Sequence, residues 1–308
     1  MATWPTVFKR SPLPDRFPPG WRLVVRCKDV SPYSLLFVDL DGTLVGREDI
    51  VSPRTITALN RAQAAGCTIV ICTARSRYMV EAIAAQWQGH GYAILSNGAV
   101  IAEWETGVIL QKLPLSIATV QQASRIAHSL EACPLCFGVH VEEDGGKSVY
   151  TDRRFPLPPV YLERNAHRLV YQDNLETQRD LSPVAMGAYG PRDQIQRIAF
   201  AWRQSLGPDI AVFESPDAKY GCWCALLNSR QADKALAAKR VALMLNVPRE
   251  RTMAIGDHTN DLDLLRWAGM GVCMGDGHEE ARICADHVTG TLPEDGAAQA
   301  IERFVLGA

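Results

Sequence analysis

Several things are scarce in this sequence of 308 residues, and each scarcity closes off a class of function. An excess of charge of one sign is nearly absent: 32 Lys and Arg stand against 34 Asp and Glu, a formal net charge of −2. Neither a nucleic acid nor an anionic membrane surface would be drawn to such a chain by electrostatics. No apolar run is long enough to cross a bilayer. Residues 1–30 contain Pro5, Pro12, Pro14, Pro18 and Pro19 but no apolar h-region, so they read as an irregular arm and not as a secretory signal. Nine cysteines are an odd number, and Cys67, Cys72 and Cys273 sit inside apolar, strand-like runs. That pattern suits buried thiols and a cytoplasmic location more than a disulfide framework. Internal repeats and low-complexity tracts are also missing.

The chain does have a sizeable apolar fraction, 47%, and a length comfortable for two domains. Its organising stretch is Leu35-Leu36-Phe37-Val38-Asp39-Leu40-Asp41-Gly42-Thr43-Leu44. Four apolar residues without alternation predict a strand buried on both faces. Asp39 then falls at the strand's carboxyl end, where open parallel sheets bind ligands, and Asp41 lies in the turn that Gly42 allows. Two carboxylates so close are costly unless a cation or a shared proton relieves them.

The pattern continues as strand, helix, strand. Ser52-Pro53 predicts a helix start and Gly66 its end. An Ile- and Val-rich strand over 67–72 runs into Thr73-Ala74-Arg75. A helix over 76–86 leads to a strand over 92–95 and then Ser96-Asn97-Gly98-Ala99. This rhythm predicts a doubly wound, Rossmann-like parallel-sheet core of α/β class. From about residue 104 the pattern mixes: strands are expected near 108–110, 137–141, 184–189, 210–213 and 222–227, and helices over 116–131 and 192–205. An α+β domain inserted over 104–227, with the core assigned to 31–103 and 228–308, accounts for this. No element is assigned within 151–180. The α/β rhythm returns with a helix opening at Lys234 and a strand over 252–255 that ends in Gly256-Asp257-His258-Thr259-Asn260-Asp261. A helix to Ala268, a strand over 271–274 and a helix near 296–304 complete it.

Polar groups of matching chemistry thus follow three predicted strands. Carboxylates distant in sequence meet in such a fold at one edge of the sheet. Asp39 with Asp257 would form a hard oxygen site suited to Mg²⁺, and Thr73 and Lys234 beside it would suit a phosphate dianion.

Together, D-L-D-G-T-L, T-A-R, a lysine opening a late helix and G-D-x-x-N-D resemble the motifs of the haloacid dehalogenase superfamily. The S-N-G-A at Ser96–Ala99 and a large insertion after the second motif resemble its Cof-like phosphatases. The resemblance covers roughly 35–99 and 230–274. It implies that Asp39 is a nucleophile giving an aspartyl-phosphate and that Asp41 protonates the leaving oxygen and then activates water. It also implies that Mg²⁺ is held by Asp39, the Asp41 carbonyl and Asp257, with Asp261 orienting Lys234 or a water. Thr73, Lys234 and Asn260 would bind the phosphoryl group. Ala74 replaces the usual glycine, and Ala235 follows the lysine where glycine is common, so Lys239 and Lys219 are rivals of Lys234. Arg75, Asn97, Arg153 and Arg168 are candidates for substrate contact, with a solvated surface or a structural salt bridge as the alternative.

The reading is therefore a Mg²⁺-dependent phosphatase of a small phosphorylated metabolite, a sugar or polyol phosphate, with no nucleic-acid or membrane partner. Oligomeric state and the individual substrate are left open. A phosphomutase of the same superfamily and a catalytically silent binding module are the alternatives. His128, Cys133, Cys136 and His140 have spacings compatible with zinc, but Cys136 and His140 would lie on a strand and the intervening loop of a zinc module is missing. Cys222 and Cys224 would share a strand face as core residues.

Overall fold

Alternate residues of β1 (Leu35–Asp39) enter different layers. Leu36 and Val38 pack in one apolar cluster while Leu35 and Phe37 pack in another. The strand is buried on both sides because helices cover both, as its unbroken apolar run requires. Full burial of each such side chain is worth about 1.5–3 kcal/mol. This computed structural model describes residues 31–307 apart from Gln88 and Ala218, and the expected N-terminal arm lies outside the described residues.

The first core segment continues through α1 (Pro53–Ala64), β2 (Thr68–Cys72), α2 (Arg77–Ala84), β3 (Gly91–Leu95), β4 (Val100–Glu103) and β5 (Ile109–Lys112). Ser52 starts α1 as expected, its Oγ accepting the Thr55 N–H at 3.1 Å, with Pro53 in the first turn. The inserted segment runs α3 (Ile117–Ser129), β6 (Leu135–Phe137), α4 (Val141–Asp144), β7 (Val149–Thr151), α5 (Pro159–Asn165), β8 (Leu169–Tyr171), β9 (Ala185–Gly190), α6 (Arg192–Ser205), β10 (Ile210–Asp217) and β11 (Cys222–Ser229). The chain returns to the core with α7 (Lys234–Met244), β12 (Thr252–Gly256), α8 (Leu262–Trp267), β13 (Met270–Cys273), α9 (Glu279–Cys284), β14 (His287–Val288) and α10 (Gly296–Ala300). A π-helical turn, Ile301–Val305, follows α10.

The core sheet has the order β14-β13-β12-β1-β2-β3-β4-β5. It is parallel from β14 to β3, and β4 and β5 add an antiparallel hairpin at one edge. β1 sits centrally between β2 and β12, with Leu35 opposite both Thr68 and Thr252. The second sheet, β10-β11-β9-β6-β7-β8, is antiparallel except for β7 with β8. One face of it packs on α3 and α6, with Trp202 buried and donating its indole N–H to the Ala123 carbonyl at 3.1 Å. Tyr161 of α5 packs with Leu135 and Val149 in a separate cluster.

Two expectations need correction. The boundary expected at 103/104 falls inside the β4–β5 hairpin: Val100 and Ile101 pair with Lys112 and Gln111, so β5 extends the core sheet. The strand expected over 137–141 stops at Phe137, because Gly138 takes a left-handed φ of 64° and turns the chain into α4. Here the inserted domain meets the core. Val141 and Val184 join the core cluster, and the Tyr78 N–H donates to the Gly145 carbonyl at 2.9 Å.

Within the inserted domain, which forms a cap, buried His128 has a carboxylate at each ring nitrogen: Glu176 at Nδ1, 2.6 Å, and Asp152 at Nε2, 3.1 Å. Burial alone would lower the imidazole pKa, but the bonds from Asp152 and Glu176 outweigh it and the net shift is upward. A raised His pKa gives stability that is complete below the ordinary value of about 6.5 and lost as pH rises through the folded value. Asp152 is shifted the other way: burial opposes the change, but the His128 bond and main-chain N–H groups lower its pKa. Its contribution is complete above the ordinary carboxylate value and lost as pH falls through the folded one. Urea midpoints for wild type should therefore fall from pH 6 to pH 9 more steeply than those for His128→Gln. Parallel pH profiles would remove His128 from the account.

Candidate active site

Strand alternation places Asp39 on the same side of β1 as Leu35 and Phe37, which is the side packed against α7. The first residue of α7 is Lys234, fully buried despite its charge. Asp233 caps this helix, its side chain accepting the Leu236 N–H at 2.8 Å. The Ser96–Gly98 turn supports the cap from beneath: a Cβ on Gly98 would stand 2.5 Å from the Asp233 carbonyl oxygen. The S-N-G sequence is thus tied to the placement of Lys234.

The Lys234 ammonium donates to Asp39 Oδ1 and, at 2.7 Å, to Asp261 Oδ1. The Asp261 side chain has no exposure, and its other oxygen accepts the N–H groups of Asp257 and His258, each at 3.2 Å. Asp261 therefore shapes the Gly256–Asn260 turn and orients Lys234 together. Asp257 Oδ1 is buried and has no hydrogen-bond partner among the described residues. Its carboxylate lies against the Cα of Gly42, where a Cβ would come within 2.2 Å of Oδ2, and Gly42 also holds a φ of 81°. Only glycine satisfies both conditions.

One oxygen each from Asp39, Asp257 and Asp261 lie within 4.8 Å of one another. Burial raises the Asp39 pKa well above the carboxylate range, Lys234 opposing and Asp261 and Asp257 adding to the rise. Asp257 is pushed up to about 7 by burial and then by Asp261. Lys234 moves upward as well: desolvation disfavours its charge, but the two carboxylates more than offset this. Three acids with one ammonium leave an excess of negative charge, and Asp257 Oδ1 has no donor among the described residues. These all-oxygen donors fit a hard divalent cation.

Asp41 stands at the mouth, its side chain half exposed. Arg75 Nε donates to its two oxygens at 3.1 and 3.0 Å. The same guanidinium reaches Asp49 Oδ1 at 2.6 Å. Thr73 is fully buried and its Oγ accepts the Arg75 N–H at 3.1 Å. The Asn97 N–H donates to the Thr73 carbonyl at 3.1 Å, and Asn260 Nδ2 approaches Asn97 Oδ1 at 3.4 Å. The site residues expected on the core are thereby gathered at one sheet edge.

The cap arginines lie elsewhere. Arg153 stacks on Tyr171, 3.7 Å from the ring centre, in a cleft lined by Asp152, Arg154, Gln172, Asp173 and Asn174 and by none of Asp39, Asp41, Asp257 and Asp261. Arg168 donates to the Lys147 and Gly146 carbonyls and lies over the Tyr78 ring at the seam with the core. The rival lysines point to aromatic rings, Lys239 toward Trp267 and Lys219 toward Tyr220. The zinc-like spacing does not gather a site: His128 engages carboxylates, Cys133 bonds Thr151, Cys136 packs in the other cluster, and His140 faces Glu143 and Tyr150. Asp49 and Gln86 were not anticipated. Asp49 has a left-handed φ of 55°, its carbonyl accepts from Gln86, and Gln86 accepts the Val51 N–H.

A central parallel strand ending in paired acids, with a lysine and further acids from a late α/β unit and a domain inserted over the sheet edge, defines a haloacid dehalogenase-type hydrolase. The model of one family, the haloacid dehalogenase-like hydrolases, matches residues 36–301. Phosphatase YwpJ of Bacillus subtilis is 29% identical over 296 residues, covering 88% of this chain and 99% of that protein. The 5-amino-6-(5-phospho-D-ribitylamino)uracil phosphatase YcsE of the same organism is 24% identical over 273 residues, covering 88% and 96%. A crystal structure of a haloacid dehalogenase-like hydrolase from Bacteroides thetaiotaomicron superposes with a TM-score of 0.74 at 27% identity, covering 88% and 99%. The chain belongs to the haloacid dehalogenase-like hydrolases, and among them to the phosphatases with a Cof-like α+β cap. Among the described residues no helix is long and apolar enough to cross a membrane.

Proposed function

We propose that this enzyme is a Mg²⁺-dependent phosphatase that hydrolyses a small phosphomonoester, a sugar or polyol phosphate, through an aspartyl-phosphate. The observation that carries the reading is the buried meeting of Asp39, Asp257 and Asp261 with Lys234 at the carboxyl edge of the sheet. Asp39, Asp257 and the Asp41 main-chain carbonyl would hold Mg²⁺. Bound there, the ion would neutralise charge between a carboxylate nucleophile and a phosphate dianion.

This chain's residues then divide the work. A carboxylate oxygen of Asp39 attacks phosphorus as the ester P–O bond breaks. Asp41 gives its proton to the departing oxygen. In the second step Asp41 takes a proton from water, and that water attacks the phosphorus of the aspartyl-phosphate, releasing phosphate and freeing Asp39. Lys234, Thr73 and Asn260 hold the phosphoryl oxygens, Lys234 being oriented by Asp261. The cap covers the leaving group and limits bulk water. A polyol or sugar phosphate is favoured because YcsE, at 24% identity, is named for a substrate whose phosphate sits on a ribityl chain.

The test is a screen of phosphorylated sugars, polyols and nucleotides for phosphate release, before and after EDTA treatment. Chelation should reduce the rate at least about 100-fold and added Mg²⁺ should restore it. Undiminished release in EDTA would overturn the metal dependence. Product that is an isomeric phosphate, with no free phosphate, would overturn hydrolysis in favour of a mutase.

A further inference from the structure

We infer that Arg75 is a positioning residue for Asp41, aiming its carboxyl group at the leaving oxygen, and that Asp49 and Gln86 fix Arg75 for that task. The inference rests on the acid role proposed for Asp41.

Asp41 is the half-exposed member of the site, and among the described residues no main-chain N–H donates to its carboxylate. Its hydrogen bonds come from one guanidinium: Nε bridges both oxygens and Nη2 reaches Oδ1 at 2.5 Å. A planar fork sets the direction of a carboxylate as well as its distance, which an ammonium does not do. Arg75 itself is unusually constrained for an arginine. Its side chain is only 15% exposed. Its N–H donates to Thr73 Oγ and its carbonyl accepts from the Ser96 N–H at 2.9 Å. Its Nη2 is anchored to Asp49 Oδ1 at 2.6 Å.

Asp49 lies on the loop that follows Asp41, and that loop is tied down in turn. Gln86, just beyond α2, donates to the Asp49 carbonyl at 2.7 Å and accepts the Val51 N–H at 3.1 Å. Asp41 and Val51 are further linked through backbone bridges to Val45. The path Gln86, Asp49, Arg75, Asp41 therefore connects a core helix end to the leaving-group carboxyl. A substrate contact by Arg75 is disfavoured, because two carboxylates already occupy its fork.

The chemistry supplies a readout that a merely structural role would not move. Breaking the P–O bond to an alkoxide requires a proton, supplied in this scheme by Asp41, whereas a nitrophenolate departs without one. The ratio kcat/KM reports steps through leaving-group departure and is blind to the later attack of water. Three probes of falling leaving-group basicity serve: β-glycerol phosphate, phenyl phosphate and p-nitrophenyl phosphate. Asp41→Asn is the reference, expected to lose about 100-fold or more in kcat/KM on β-glycerol phosphate but less than about fivefold on p-nitrophenyl phosphate. Arg75→Ala should give the same graded pattern at about 10- to 100-fold on the first probe, Arg75→Lys an intermediate loss, and Asp49→Asn a smaller loss of the same shape.

Equal losses of Arg75→Ala on all three probes, or an unchanged or higher rate, would overturn the positioning role. A rise in KM common to all three would instead make Arg75 a phosphate contact. If Arg75→Ala does not fold, as thermal melting would reveal, Arg75→Lys and Asp49→Asn decide by the same grading, and ungraded losses in both reject the inference. Failure of the Asp41→Asn reference to show any leaving-group dependence would reject the acid assignment beneath it, a result distinct from a graded Asp41→Asn with an ungraded Arg75→Ala.

Discussion

Asp39→Asn should abolish turnover, with a loss of at least about 10⁴-fold on every phosphomonoester the wild type hydrolyses. The amide has almost the shape of the carboxylate but cannot attack phosphorus to give the aspartyl-phosphate. Protein stability should change little or rise. Asp39 is buried with its pKa raised mainly by desolvation, so replacing it by a neutral group removes a charge whose burial is unfavourable. Lys234 keeps Asp261 as its partner at 2.7 Å. Steady-state phosphate release with urea unfolding of the same preparation checks both halves. Wild-type rates would exclude Asp39 as the nucleophile, and a large drop in stability would mean that the loss of activity reports unfolding.

Lys234→Met is expected to do the opposite to stability. The side chains of Lys234, Asp39 and Asp261 are 1%, 6% and 0% exposed, so removing the ammonium leaves two carboxylates buried with no cationic side chain bonded to either. Losing one partner of such a buried set typically costs about 3–5 kcal/mol. Urea unfolding in EDTA should show a loss of that order, and activity should fall at least about 100-fold as the phosphoryl contact goes. The double variant Asp39→Asn with Lys234→Met should recover part of the stability, because one of the two abandoned charges is gone. Additive losses would mean that the two residues are not energetically coupled despite their contact.

These two residues also show why parts of the site were legible from sequence. Asp39 follows an unbroken apolar run, and Asp257 follows another. Parallel-strand burial produces such runs, and parallel topology brings their carboxyl ends to one edge. Lys234 was harder to single out, since a lysine opening a helix is normally solvated. What distinguishes it is the packing of α7 on the Asp39 side of β1, a tertiary fact with no local signature. Asp49 and Gln86 carry no pattern at all: they meet Arg75 and the loop through side-chain bonds across 26 and 35 to 37 positions.

The middle of the cap was illegible for a related reason. β7, α5 and β8 are three to seven residues long, too short for periodicity to emerge. Their placement depends on bonds such as Arg168 to the Lys147 carbonyl and the Asp144 carboxylate to the Gly146 and Ser148 N–H groups. The longer helices α3 and α6, which bury regular faces, fall close to where periodicity predicts them.

The pairing of β1 with β12 has a consequence for the order in which the molecule is made on the ribosome. β1 is complete before the cap is translated, yet its partner begins at Thr252, after the whole cap has been made. Until the cap is finished the nascent chain has Asp39 and Arg75 but neither Lys234 nor Asp257, and the edge of β1 that β12 will cover lacks that neighbour. Through that interval the growing chain lacks the late members of the acid cluster and exposes a sheet edge that invites wrong partners. Assembly of the strand's second neighbour and acquisition of the full acid cluster arrive in the same stretch of translation, so the nascent protein gains its protection from misassociation and its reactive centre together.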